Sequence, residues 1–185
     1  MSKLKPFIKF RSRLSAVLAC ALLGLATARA EDNSKLAGDV KTAITAFNSA
    51  DSNMAKLFKK SAGYVVFPNV GKGGFVLGGA HGNGLVYEKG KLVGEASLTQ
   101  VTIGAQVGGQ EFSEVVFFED AKTLADFKES KFTMSAQVGA VAAAEGVSQN
   151  AKYVNGVMVF TQAKQGLMAE ASVGGQKFKF KPTKP

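Results

Sequence analysis

The sequence is poor in the residues that most enzymes and disulfide scaffolds depend on. Its 185 residues hold one cysteine, Cys20, and one histidine, His81. A lone cysteine excludes an internal disulfide, so stability has to come from a packed core. No cluster of His, Cys, Asp and Glu occurs at metal-ligand spacing, and no metal or other cofactor is expected. His81 stands without a recognisable nucleophile or orienting acid nearby in sequence, and an exposed imidazole is its simplest reading. Glu111 and Glu114, like Glu119 and Asp120, read as solvated strand ends rather than a catalytic carboxylate pair. No catalytic residue is assigned, and the chain is read as a non-enzyme.

Long apolar runs are missing as well. The longest, Leu14 to Ala26, has 13 residues, where a bilayer span needs about 20. It follows a basic segment that contains Lys3, Lys5, Lys9, Arg11 and Arg13, and it precedes Ala28-Arg29-Ala30, a small-x-small site. This order predicts a secretory signal over residues 1–30, cut after Ala30. The protein is then exported, to the periplasm or the outer membrane. Val17-Leu18-Ala19-Cys20 loosely resembles a lipoprotein box, which makes acylation at Cys20 the alternative. The apolar run continues for six residues past Cys20, which favours the ordinary site.

Export changes the charge argument. The whole sequence has 23 basic and 14 acidic side chains, a net charge of +9. Six of the bases (Lys3, Lys5, Lys9, Arg11, Arg13 and Arg29) lie in the signal, leaving 17 against the same 14 acids. A surplus that small does not point to nucleic acid. Residues 31–185 have the length of one domain with a real core.

Turning to what is present, Leu36, Val40, Ile44 and Phe47 recur at helical spacing. Asn33 or Ser34 is a candidate cap. The stretch "NSADSN" breaks the pattern, and "MAKLFKKSA" resumes it. From Gly63 the texture becomes strand-like, with valine- and phenylalanine-rich runs punctuated by glycine. "HGNG" and "EKGK" read as tight turns. "EDAKTLADFKES" (Glu119–Ser130) has helical spacing within the strands, and "QVGAVAAAEG" is compatible with either state. The fold class expected is α+β: a mostly antiparallel, strongly coiled or barrel-like sheet with amino-terminal helices and one short helix inserted near 119–130. "GYVVF" (63–67) returns as "GVMVF" (156–160). Alternation of small and apolar residues in a tight sheet explains this as well as a duplicated unit does, and is preferred.

The glycine-rich stretch "FPNVGKGGFVLGGAHGNG" (67–84) resembles a phosphate loop only superficially. A Walker loop requires glycine where Val66 stands and Ser or Thr where Gly73 stands. The dinucleotide fingerprint fails at Val76 and again at Tyr87. Nucleotide binding is therefore excluded, and the glycines are expected to serve bulges, coiling and close backbone approach.

The residues Phe67-Pro68, Gly71-Lys72-Gly73-Gly74-Phe75, Gly78-Gly79, Gly82-x-Gly84 and Gly104-x-Gln106-x-Gly108-Gly109-Gln110 resemble the SYLF-domain family, with similarity from about Leu36 to Phe180. That resemblance implies phospholipid binding, with phosphoinositides preferred by eukaryotic relatives, some of which also bind actin, and with the amino-terminal helix taking part. An exported protein meets neither actin nor phosphoinositides, so the implied ligand is anionic bacterial phospholipid or another acyl-bearing molecule.

The residues themselves offer a means of binding it. Lys56, Lys59 and Lys60 share one face of a helix, with Met54, Leu57 and Phe58 beside it, as in a helix that rests among headgroups. Lys72, placed in a glycine-rich turn with free amides, is the fourth lipid-binding candidate. Two alternatives stay open: a periplasmic scaffold that docks a protein of the envelope, and a carrier that holds an acyl ligand inside.

Overall fold

The computed structural model describes residues 32–74, 77–103, 110–134, 138–165 and 175–183. The expected signal, residues 75–76 and all but the last residue of Gly104-x-Gln106-x-Gly108-Gly109-Gln110 lie outside those residues. Leu36–Pro185 forms one compact unit.

The amino-terminal pattern gives two helices, as expected. Helix α1 runs over residues 32–50, so Asn33 and Ser34 lie within the helix rather than capping it. Helix α2 follows at Met54–Lys60. Seven strands then form a single sheet: β1 (Gly63–Gly74), β2 (Leu77–Glu88), β3 (Lys91–Ile103), β4 (Gln110–Phe118), β5 (Ala140–Ala142), β6 (Val157–Gln165) and β7 (Lys177–Pro182). Helix α3 (Ala121–Lys128) interrupts them where helical spacing predicted it. Asp120 caps it, accepting from the Thr123 amide at 2.7 Å.

The sheet order is β5-β6-β4-β1-β2-β3-β7. Every pairing is antiparallel except β5 with β6. The α+β class therefore holds. Among the described residues the sheet is open, with β5 and β7 as its edges, so it coils without closing into a barrel.

Aromatic contacts show how tightly it coils. Phe118 on β4 and Phe178 on β7 both meet Phe127 of α3, at ring separations of 4.9 and 5.3 Å, although β1, β2 and β3 lie between those strands. Phe67 of β1 also reaches Phe178, at 5.8 Å. The sheet thus curls around α3. The enclosed core includes Val65, Phe67, Val86, Leu98, Phe112, Val116, Phe118, Leu124, Phe127 and Phe178. The outer face carries a second core, in which Val40, Ala43 and Phe47 of α1 and Met54 of α2 cover Tyr64, Val66, Val115, Phe117 and Phe160. Each fully buried side chain of this size contributes about 1.5–3 kcal/mol.

Pro68 sits in a central strand, where a missing N–H is tolerated only at an irregularity. The register of β1 shifts on both sides at that point, between Val66 and Asn69 toward β2 and between Phe67 and Val70 toward β4. This bulge explains the glycines opposite. A Cβ on Gly84 would collide with the Val66 carbonyl oxygen and with Phe67, so the chain passes the bulge only without a side chain there.

For the same reason "HGNG" is not a turn. His81 to Gly84 run through the middle of β2, paired to β1 on one side and β3 on the other. "EKGK" is a turn, with Lys89 at φ 50° and Gly90 at φ 77°.

The internal likeness is not structural. "GYVVF" and "GVMVF" lie in β1 and β6, on either side of β4. Phe117 pairs Tyr64 with Met158, and Val115 pairs Val66 with Phe160. This offset is one residue away from the alignment of the letters, so matched letters face opposite cores.

Candidate functional site: the lysine face of helix α2

Helix α2 is short, and its orientation is set by what it buries. Met54 is fully buried, and Leu57 and Phe58 pack on the outer core. The Phe58 ring meets Tyr64 edge-on at 4.9 Å and Phe117 at 5.0 Å, and Tyr64 stacks on Tyr87 at 5.0 Å. At about 100° per residue, Lys56, Lys59 and Lys60 then fall on the side away from the sheet. All three are exposed. The structure therefore brings these three expected residues together on one outward face. It also assigns the apolar half of the helix to the protein interior, so Phe58 is not a free membrane anchor.

The mounting is polar and long-range. Asp51, buried in the break between α1 and α2, accepts from the Ser148 amide at 2.8 Å, the Asn53 amide at 2.9 Å and the Asn53 side-chain amide at 3.2 Å. Burial alone would raise its pKa. The Ser148 and Asn53 donors outweigh that effect and hold the carboxyl well below its usual range. Ser52 adds a hydroxyl hydrogen bond to Glu145 at 3.0 Å. Within α2, Lys56 Nζ donates to Asn53 Oδ1 at 2.9 Å, while Lys59 and Lys60 occupy the last turn, where cations suit the helix dipole.

Lys72 is placed differently from expectation. It lies in β1, with its backbone paired to Ala80 on one side and Gln110 on the other. The turn with free amides that was to cradle a phosphate is not there, because a glycine-rich strand in the middle of a sheet uses its amides in the ladders. The Lys72 side chain lies outside the described residues.

Glu114 corrects a second expectation. It is no solvated strand end but fully buried, with a single hydrogen bond among the described residues, from Gln176 Nε2 to Oε2 at 3.0 Å. Burial pushes its pKa up to about 7, against the lowering effect of that bond. The signal was present in the alternation: Phe112, Glu114, Val116 and Phe118 share one side of β4. Glu119 and Asp120 are exposed, and so is His81. Among the described residues, no group of three or more His, Cys, Asp and Glu could hold a metal, and no helix is long and apolar enough to cross a membrane. Sequence reasoning also missed Asp51, whose partner Ser148 is too distant in the chain for any local pattern to show.

The likeness to the SYLF family is borne out over the second half of the chain. Residues 99–183 match the Ysc84 (SYLF) family model, described as "Las17-binding protein actin regulator". The glycine-rich segment from Phe67 to Gly84 lies ahead of that match. The chain is also similar to Beta cell expansion factor A of Aeromonas veronii, at 27% identity over 140 residues, 74% of this chain and 52% of the relative. It thus spans about half the length of that curated relative. The Ysc84 (SYLF) family is one of binding modules.

Proposed function

We propose that this protein binds anionic phospholipid without catalysing a reaction, and that it does so at a membrane of the bacterial envelope after export. The observation that carries the reading is the rigidly mounted row of Lys56, Lys59 and Lys60, which faces away from the sheet on a helix whose apolar side is already used. Such a row acts by headgroup charge rather than by insertion. Each lysine near an anionic surface contributes about 1 kcal/mol. Lys72 adds charge, without an amide nest. The family likeness and the bacterial source of the relative agree with this reading.

A second reading is favoured by the words of the family description, which name a protein ligand. In that case the same lysine face docks an acidic protein of the envelope.

Cosedimentation with vesicles separates the two. Binding to phosphatidylglycerol-containing vesicles, absent with phosphatidylcholine alone, weakened by salt and lost in Lys56/Lys59/Lys60→Ala, is the expected result. Failure to bind either vesicle overturns the lipid reading and leaves the protein partner.

A further inference from the structure

Inside the curled sheet, a polar pair lies among the apolar side chains of the enclosed core. Glu114 and Gln176 are both 0% exposed. One hydrogen bond joins them, Gln176 Nε2 to Glu114 Oε2 at 3.0 Å, and the remaining oxygen of each, Glu114 Oε1 and Gln176 Oε1, has no partner among the described residues. Two buried acceptors, one from each member of a pair already in contact, lack only a hydrogen. A carboxylate here is a buried charge with one donor and no cation, an expensive state. A protonated carboxyl gains an O–H, and an acid opposite a primary amide forms two hydrogen bonds in one ring: amide N–H to acid carbonyl, acid O–H to amide carbonyl.

The described surroundings are mostly apolar. Across the ladders Glu114 faces Phe67 of β1 and Thr161 of β6. On its own strand its neighbours on that side are Phe112 and Val116, and the rest of this core includes Met134, Val138 and Phe178. Among the described residues no charged or other titratable group acts on it, and burial and the Gln176 bond are the two influences on its proton.

Gln176 is also where the last strand is tied down. Its carbonyl accepts from the Met134 amide at 3.0 Å, and the Met134 carbonyl accepts from the Gly175 amide at 2.8 Å. Thr133 bridges to Lys177, and the Phe180 amide donates to Ser130 Oγ at 2.9 Å. Strand β7 is a sheet edge, and Phe178 inserts from it into the enclosed core. A change at Gln176 is therefore a change at the seam that closes the curl.

We propose that Glu114 carries a proton in the resting fold, that it closes an acid–amide ring with Gln176, and that loss of this proton loosens β7 and opens the interior of the curled sheet. The proposal stands independently of lipid binding. Its sign follows from linkage. The carboxyl of Glu114 is harder to ionise in the fold than in the opened chain. The stabilisation is therefore complete below the ordinary glutamate range and is lost as pH rises toward and through about 7.

The test is amide hydrogen exchange on the whole protein between pH 5 and pH 8, corrected for intrinsic rates. Opening at Met134, Gly175 and Phe180, measured relative to β1 and β4 amides, should rise on the order of seventy-fold across that range, with a factor of about two of it above pH 7. Glu114→Gln, a neutral mimic of the acid, should keep the pH 5 protection and show no rise. Gln176→Leu, which leaves the acid no ring partner, should lower the pH 5 protection that Glu114→Gln keeps. Should a variant fail to fold, a carbon-13 titration of the wild-type Glu114 carboxyl decides, with a midpoint near 7 expected. A wild-type profile flat in pH, a rise retained in Glu114→Gln, or a carboxyl that titrates in the ordinary glutamate range overturns the proposal.

Discussion

The two faces of the sheet solve the same packing problem by different means. The inner face is wrapped around α3, and rings from β1, β4 and β7 converge on it across strands that are not neighbours. The outer face is covered by α1 and α2, which lie flat on it and are tied by Asp51 to a turn 97 residues away. Curling holds the inner core, whereas a polar tether positions the outer helices. The difference teaches where function can be placed. The inner face is largely buried among the described residues, while the outer covering leaves a second side of α2 free for three lysines.

Substitutions can break this comparison at graded cost. Phe127→Ala removes the ring on which the curl is centred and should cost about 3–5 kcal/mol in urea denaturation, with loss of the cooperative transition as the severe outcome. A cost below 1 kcal/mol would mean that the sheet curls without α3. Gly84→Ala tests the bulge. The new methyl meets the Val66 carbonyl oxygen and should destabilise by about 1–3 kcal/mol, shifting Tm downward.

Asp51→Asn should cost a similar or smaller amount, about 1–2 kcal/mol, at neutral pH. Because the folded carboxyl is held below its ordinary pKa, the wild-type contribution is present above the ordinary aspartate range and fades as pH falls through the lower, folded value. The gap between variant and wild type should therefore narrow on acidification, as read by denaturation at pH 7 and pH 3. Lys56/Lys59/Lys60→Ala sits at the small end for stability, within about 0.5 kcal/mol, while abolishing vesicle binding. A large drop in Tm would show that these side chains hold the fold rather than a ligand.

Much of this is legible in the sequence. The helix, break and helix at the amino terminus, the inserted α3 and the packing role of the glycines follow from periodicity and composition. Two of the errors share one cause. His81 to Gly84 resemble a turn because turns and tight strand crossings both select a missing Cβ, and only the bulge at Pro68 in the partner strand distinguishes them. Lys72 was misplaced by the same ambiguity. The open edges of the sheet depend on which strands pair at long range, and no local pattern encodes that. Glu114 differs, because strict alternation with Phe112 and Val116 already placed it inside, against the habit of reading a charged residue as solvated.

The tether from Asp51 to Ser148 also bears on the order in which the protein is made. Helices α1 and α2 leave the ribosome first, yet their anchor, and the Met158 and Phe160 side chains that complete the outer core beneath them, are synthesised about a hundred residues later. Until then their apolar faces have no permanent seat. Loop closure over such separations makes folding slow. Under the export proposed above, that delay would keep the precursor competent for threading across a membrane.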